Sequence, residues 1–290
     1  MRKPGMGAHI GCAILSFFLA LLLFAGTLLV PVWRVTSDRS LYLTAGSELM
    51  DARMEALEQK IADVAEEYSF SPDTVKGFVT REVLLSQEEG MADWLIGVLH
   101  GKAVSQPTWD TTEVQEAIRE DELFQAAVPS AMRKVVARDQ AAYAISTAVN
   151  SAVLPIRAEV LQAGLQVVNK KVDLYKIIEE LPLVFPAAGV AALILALIIL
   201  LVMRKSLRFA FAHLGSALLA AALMLLAVAL YVLALDVPGL CGQVSALFAL
   251  QVTAILKQLA ISAGIITLAW LVFGVVLMCV FQHCSRRHRT

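Results

Sequence analysis

The chain has 290 residues, a formal net charge of −1 and 58% hydrophobic residues, a share well above that of an ordinary soluble domain. Its charges are segregated: residues 34–182 hold 24 of the 25 acidic residues but only 15 of the 24 Lys and Arg residues, which gives this stretch a charge of −9. The composition excludes a purely soluble protein. The segregation of charge indicates that some segments lie within a membrane and others outside it.

Long apolar runs predict four transmembrane helices. No Asp, Glu, Lys or Arg occurs in residues 4–33, 181–203, 209–235 or 258–285. About 20 apolar residues cross the roughly 30 Å hydrocarbon core, so each run is long enough to span once. We predict an all-α integral membrane protein with spans near 10–33, 183–203, 208–235 and 259–282. Its domains are the N-terminus with the first span (1–33), an acidic helical domain (34–182) and a three-helix membrane domain (183–290).

The first span has two interpretations. Met1–Gly5 has the character of the basic start of a signal peptide, and Phe24–Gly26 that of a weak cleavage site. The apolar run, however, is longer than the roughly 7–15 residues of a typical signal peptide. We therefore favour an uncleaved anchor.

The sequence predicts that the acidic domain is helical throughout. Ser47 is a candidate cap for a helix with a heptad stripe made of Met50, Met54, Leu57, Ile61, Val64 and Tyr68. Ser71-Pro72-Asp73 predicts a second helix that runs toward Ser86, and Gly90 and Gly101 bracket a shorter one. After a loop at 102–109, Asp110 or Thr111 caps a helix to about Ala127, and Pro129 opens another to Val153.

The last helix of the domain is predicted to begin near Pro155 and to lead directly toward the second span. It carries a second heptad stripe, made of Leu161, Leu165, Val168, Val172 and Tyr175. The two stripes either pair as an antiparallel stalk, which we favour, or each face the general core of the domain. A homo-oligomeric coiled coil is a smaller possibility.

The fourth span has two possible forms as well. Helical spacing of Val244, Leu247, Phe248, Val252 and Ile255 allows one helix of some 40 residues from about Gln243 to His283. The alternative is a short interfacial helix that bends at Lys257–Gln258. The sequence leaves both open.

Three basic clusters predict the orientation in the membrane. They are Arg2 with Lys3; Arg204, Lys205 and Arg208; and Arg286, Arg287 and Arg289. Short basic loops stay cytoplasmic, so both termini and the 204–208 turn are predicted inside and the acidic domain outside. Because orientation explains these clusters, we predict no nucleic-acid binding.

The cysteines and asparagines favour a bacterial cytoplasmic membrane. Of Cys12, Cys241, Cys279 and Cys284, none lies in the acidic domain, and neither Asn150 nor Asn169 is in a glycosylation sequon. A large outer domain without disulfide bonds or glycosylation sites is more typical of bacteria than of a eukaryotic cell surface.

Candidate chemistry is sparse. His9 and His213 lie at span ends, and with Asp236 they are the only candidates for a membrane-embedded enzyme. Cys279, His283, Cys284 and His288 are ligand types that suit zinc, but on one helix Cys284 is turned about 140° from Cys279. Glu113, Glu116 and Glu120 share a face that is predicted to be solvated. Small residues spaced by four, in Ala188–Ala196, Ser216–Ala220 and Ala260–Gly264, predict close helix packing.

The domain has one histidine, His100, and no cysteine, and the chain lacks the hydrolase, metalloprotease and nucleotide-binding motifs. Trp94 and Trp109 flank the 100–108 loop and line a groove or, as we favour, anchor the core.

We therefore predict no enzymatic activity, no catalytic, cofactor-binding or metal residue and no cofactor. The predicted partners are the lipid bilayer and a membrane or extracytoplasmic protein, or a second copy of the chain. The expected function is binding or scaffolding by the outer domain, as in an accessory, sensory or assembly subunit. The alternative is an oligomeric channel or transport-system subunit, with the acidic domains as a vestibule that favours cations.

Overall fold

The structure is a computed structural model that describes residues 5–128, 130–236, 239 and 245–286. Several sequence predictions concern residues outside this part of the chain, namely those on Arg2 and Lys3, Pro129, Cys241, Gln243, Val244 and residues 287–290. The sequence also predicts a turn at residues 236–239, after the third span, and two of its residues, Val237 and Pro238, lie outside the described part as well.

The described residues form α-helices joined by short connections and include no strand. The helices are α1 (Met6–Ser37), α2 (Arg39–Glu48), α3 (Met50–Tyr68), α4 (Pro72–Lys76), α5 (Arg81–Leu99), α6 (Thr112–Glu120), α7 (Glu122–Ala127), α8 (Ala131–Val153), α9 (Ala158–Val172), α10 (Leu174–Val202), α11 (Leu207–Leu233) and α12 (Ala246–Arg286). Four of them, α1, α10, α11 and α12, are long and apolar enough to cross a membrane. The all-α prediction and the four predicted spans are therefore confirmed at this level.

The chain forms two compact units. The membrane unit comprises residues 1–35, 176–235 and 257–290, and the helical unit comprises residues 36–175 and 236–256. The second unit thus contains most of the acidic domain, and also the start of α12.

The core of the helical unit lies between α3 and α8, and α5 and α6 also pack on α8. Leu57, Ile61 and Val64 of the α3 stripe are buried in this core, which is rich in alanine where α8 crosses it. On α9, Leu161 and Leu165 contact the same core, whereas Val168 and Val172 are exposed. The α3 stripe and the first part of the α9 stripe thus face the domain core, and the antiparallel stalk that we favoured is not confirmed.

Local capping explains the helix boundaries that the sequence analysis placed wrongly. Asp38 accepts a hydrogen bond from the backbone N–H of Ser40 and starts α2, a helix that was not predicted, so Ser47 lies within a helix rather than at its cap. Thr80 caps α5, so the helix predicted toward Ser86 is split into α4 and α5. Gly90 lies inside α5, which ends before Gly101, whose φ of 71° is left-handed.

The last helix of the domain is also interrupted. Asp173 has a left-handed φ of 50° and separates α9 from α10, so the second stripe does not continue to Tyr175 on one helix. Asn169 Oδ1 accepts a hydrogen bond from the backbone N–H of Tyr175, 3.0 Å away, and stabilises this break. Of the two forms considered for the fourth span, the long helix is confirmed, because α12 runs unbroken for 41 residues.

Helix crossings in the membrane unit rely on small residues. Gly215 of α11 and Gly274 of α12 face each other, and a Cβ on Gly215 would lie 3.0 Å from the carbonyl oxygen of Gly274. The indole nitrogen of Trp270 donates to Thr27 Oγ1 of α1 over 3.3 Å. Glycine pairs of this kind permit backbone contact between membrane helices. Such packing was predicted at Ser216 and Gly264, but among the described residues no side chain or neighbouring helix approaches the Cβ position of Gly264 within 4 Å.

Asp121 joins the start of α7 to the start of α4. One carboxylate oxygen accepts the backbone N–H of Phe124 at 3.0 Å, and the other accepts from Thr74 Oγ1 at 2.5 Å and from the N–H of Ser71 at 3.1 Å. Burial of Asp121 alone would raise its pKa, but these hydrogen bonds outweigh burial and lower the pKa below its ordinary value.

We expect Asp121→Ala to lower the free energy of unfolding of the helical unit by about 2 kcal/mol, since it removes a cap and two further hydrogen bonds. A group with a lowered pKa stabilises above its ordinary pKa of 3.8, and this stability is lost as the pH falls through the folded-state value. Urea denaturation of the full chain in mild detergent measures both effects. Asp110→Ala is the control for the contacts between helices, because among the described residues Asp110 bonds Thr112 in its own turn and no residue of another helix.

Candidate functional site

A large open groove in the helical unit is the candidate site. It has a volume of about 1220 Å³ and lies between α3, α8, the 102–111 segment and the connection from α8 to α9. Ser245 and the first residues of α12 complete its edge. Enclosed small-ligand pockets hold about 300–1,000 Å³, so an open groove of this size fits a polypeptide segment better than a small molecule.

The floor of the groove is one face of α8. Tyr143, Thr147 and Ser151 follow one another at four-residue spacing, are exposed and line the groove. The Thr147 hydroxyl donates to the carbonyl of Tyr143 and the Ser151 hydroxyl to that of Ala148, each over 2.9 Å. Because these hydroxyl protons are used within the helix, the oxygens offer acceptor lone pairs to the groove.

Asn150 adds a further acceptor. Its side-chain oxygen is buried and has no hydrogen-bond partner among the described residues. A buried acceptor left in this state costs roughly 1–3 kcal/mol. A rotation of the Asn150 side chain that turns this oxygen toward a hydrogen-bond donor in the groove, such as the N–H of an extended backbone, would remove that cost.

The 102–111 segment forms a wall that is fixed by two glycines of α5. A Cβ on Gly90 would lie 3.1 Å from the Cβ of Pro107, and a Cβ on Gly97 would lie 2.9 Å from the Cγ2 of Val104. Lacking side chains, these glycines let a segment without secondary structure lie against α5. The groove wall is therefore set before any ligand binds, which reduces the entropy cost of binding.

The charges at the rim balance. Lys60 and Arg157 are matched by Asp139 and Glu159 among the lining residues. The −9 charge of residues 34–182 is thus not concentrated in the groove. Recognition there would depend on hydrogen bonds and apolar contact rather than on electrostatic attraction.

The two tryptophans have different roles. Trp94 is a core anchor with only 3% exposure, as we favoured, whereas Trp109 both contacts the core and lines the groove. His100, the one histidine of the domain, bonds the carbonyl oxygen of Thr36 over 2.9 Å, which gives it a structural role. The α8 face was not predicted from the sequence, because its four-residue spacing of polar residues resembles that of any solvated helix face.

The glutamate face of α6 is solvent-exposed. Glu113, Glu116 and Glu120 are all exposed, and Arg119 forms ion pairs with the last two. This is the solvated face that the sequence predicts.

The candidates at the span ends are partly brought together. The rings of His9 and His213 lie 5.9 Å apart, centroid to centroid. Asp236 Oδ1 accepts the N–H of Gly239 in its own turn. Cys279 and Cys284 are free thiols, and the described residues contain no group of three His, Cys, Asp or Glu side chains placed to hold a metal ion.

Comparison of the chain with protein-family models, with curated proteins and with solved structures found no match. Functional conclusions therefore depend on the groove and on the two units themselves.

Proposed function

We propose that this protein is a non-enzymatic membrane protein whose helical unit binds a polypeptide segment of a partner in the groove, and that it acts as an accessory, sensory or assembly subunit. The observation that carries the proposal is the α8 floor, where unused acceptor oxygens face an open groove of about 1220 Å³. A partner backbone supplies the matching donors, as in other complexes that recognise extended peptides.

The proposed location of the groove is the outer face of a bacterial cytoplasmic membrane. Within the membrane unit, Phe209 contacts the rings of His9 and Phe281, at 4.8 and 6.0 Å. The start of α1, the start of α11 and the end of α12 therefore share one end of that unit, and each of them adjoins one of the three basic clusters in the sequence. The preference of basic loops for the cytoplasm supports this orientation.

The proposal is tested by site-specific photocrosslinking in native membranes. A photoreactive phenylalanine analogue at Ser151, in the groove, is expected to give one discrete adduct with a partner protein. Thr147→Trp, which fills the floor one turn away, should lower the adduct yield about tenfold, equivalent to roughly 1.4 kcal/mol of lost affinity.

Glu55, an exposed residue of α3 that does not line the groove, provides matched controls. The photoreactive group at Glu55 should give no such adduct, and Glu55→Trp should leave the Ser151 adduct unchanged. Adducts that are the same from both positions, or that survive Thr147→Trp, would refute a groove-bound partner.

Oligomeric state separates this proposal from the alternative of a channel or transport-system subunit. A pore between chains requires a closed ring of several copies. We expect a monomer or a complex with the crosslinked partner when the mass of the detergent-solubilised protein is measured. A ring of identical chains would instead favour the channel.

A further inference from the structure

We infer that His9, Arg208 and His213 form a binding site for the phosphate group of an anionic phospholipid, at the end of the membrane unit where α1 and α11 begin. This site is separate from the groove and does not depend on the proposed function.

Arg208 and His9 contact one aromatic ring, that of Phe209, and His213 lies beside His9. The Arg208 guanidinium carbon lies 4.9 Å from the centroid of the Phe209 ring, and the His9 ring meets the same ring edge-on at 4.8 Å. His213 follows one turn later on α11, with its ring 5.9 Å from that of His9. Each side chain carries N–H groups that can donate to a phosphate oxygen.

The surrounding charge selects an anion over a metal ion. Arg204 and Lys205 precede Arg208, and residues 5–13, 203–213 and 278–286, which meet at this end, contain no Asp or Glu. A divalent cation between the two histidines would be repelled by these bases and would find no carboxylate ligand. A phosphate group, in contrast, is attracted by each of these basic side chains.

The depth of the site matches a lipid headgroup. His9 lies three residues after the start of α1, and His213 six residues after the start of α11. At 1.5 Å per residue, these positions are about 5 and 9 Å from the helix ends. The positive ends of both helix dipoles also face this region and add to the attraction of an anion. Basic pockets between membrane helices bind anionic headgroups in this way.

Native mass spectrometry of the full chain tests the inference, with dioleoylphosphatidylglycerol and dioleoylphosphatidylcholine as probes. We expect stoichiometric binding of phosphatidylglycerol and about fivefold weaker binding by Arg208→Gln, the effect of one basic charge near the membrane surface. His9→Phe and His213→Phe keep the aromatic packing but lose the donors, and each should weaken binding about tenfold.

Arg204→Gln is the matched control, since it removes the same charge from the connection just before α11, outside the ring cluster. A less than twofold effect of Arg204→Gln supports a defined site. Equal effects of Arg204→Gln and Arg208→Gln, or full binding by both phenylalanine variants, would overturn it. Inorganic phosphate that displaces phosphatidylglycerol at micromolar concentration would show a soluble-anion site instead. Tight Zn²⁺ binding that requires both histidines would show a metal site.

Discussion

Replacing Arg53 with methionine is expected to lower the free energy of unfolding of the helical unit by about 3–5 kcal/mol at neutral pH, the cost of removing one partner of a buried ion pair. Arg53 is 1% exposed and Glu88 3% exposed. Their side chains meet at 2.8 Å in the interior, where α3 packs near α5. Since small domains are stable by only about 5–15 kcal/mol, the variant should be close to unfolding.

The large effect follows from what remains after the substitution. Arg53 Nη1 bonds one oxygen of Glu88, and Nη2 bonds the carbonyl of Val153 at the end of α8, 3.3 Å away. The second oxygen of Glu88 has no hydrogen-bond partner among the described residues. Without Arg53, the Glu88 carboxylate would be buried with no compensating charge.

The effect should depend on pH in a defined direction. Burial raises the pKa of Glu88 above its ordinary value, although the positive charge of Arg53 lowers that pKa. Arg53→Met removes the lowering effect. A group with a raised pKa contributes stability below its ordinary value of 4.5, and this stability is lost as the pH rises through the folded-state value. The destabilisation by Arg53→Met should therefore shrink as the pH is lowered from 7 toward 4.5.

Urea titration of the full chain in mild detergent, read by pulse proteolysis of the helical unit, measures this stability. The double variant Arg53→Met/Glu88→Met removes both charges and should regain most of the loss. If the double variant is as unstable as Arg53→Met alone, the cost comes from packing and not from an unpaired charge.

The spans were predictable because the hydrophobicity of a continuous run of residues is enough to define them. Runs of at least 20 uncharged apolar residues have few alternatives to crossing a membrane, and each predicted run coincides with a long helix. The helix boundaries of the helical unit were less predictable. Thr80 and Asp121 start helices through single hydrogen bonds that any Thr or Asp in a polar segment is able to make.

The buried pair left a signal in the sequence that the analysis did not use. Arg53 lies between Met50 and Leu57 at helical spacing, on the apolar stripe of α3. Glu88 lies in the same way between Leu84 and Met91 on α5. Opposite charges on two apolar stripes predict a buried pair. The groove left no such signal, because its wall depends on how the 102–111 segment packs against α5, a contact between residues that their spacing does not reveal.

Gly46 provides the second large prediction, because α2 packs on α5 directly over the Glu88 carboxylate. A Cβ at position 46 would occupy the space of the Glu88 side chain, which Arg53 holds in place. We expect Gly46→Leu to lower the free energy of unfolding by about 3 kcal/mol, the upper part of the usual range for overpacking. Gly46→Ala should cost less, because the higher helix propensity of alanine returns about 1 kcal/mol.

Gly77 is the matched control, since no atom of the described residues, apart from its immediate chain neighbours, lies within 4 Å of its Cβ position. Gly77→Leu should change the stability by less than about 0.5 kcal/mol, as surface substitutions usually do. The same urea titration also links the two predictions. In the Arg53→Met/Glu88→Ala background the steric conflict is gone and no buried charge is left unpaired, so Gly46→Leu should become nearly neutral there. If Gly46→Leu costs as much in that background as in the original chain, the leucine side chain clashes with atoms other than those of Glu88.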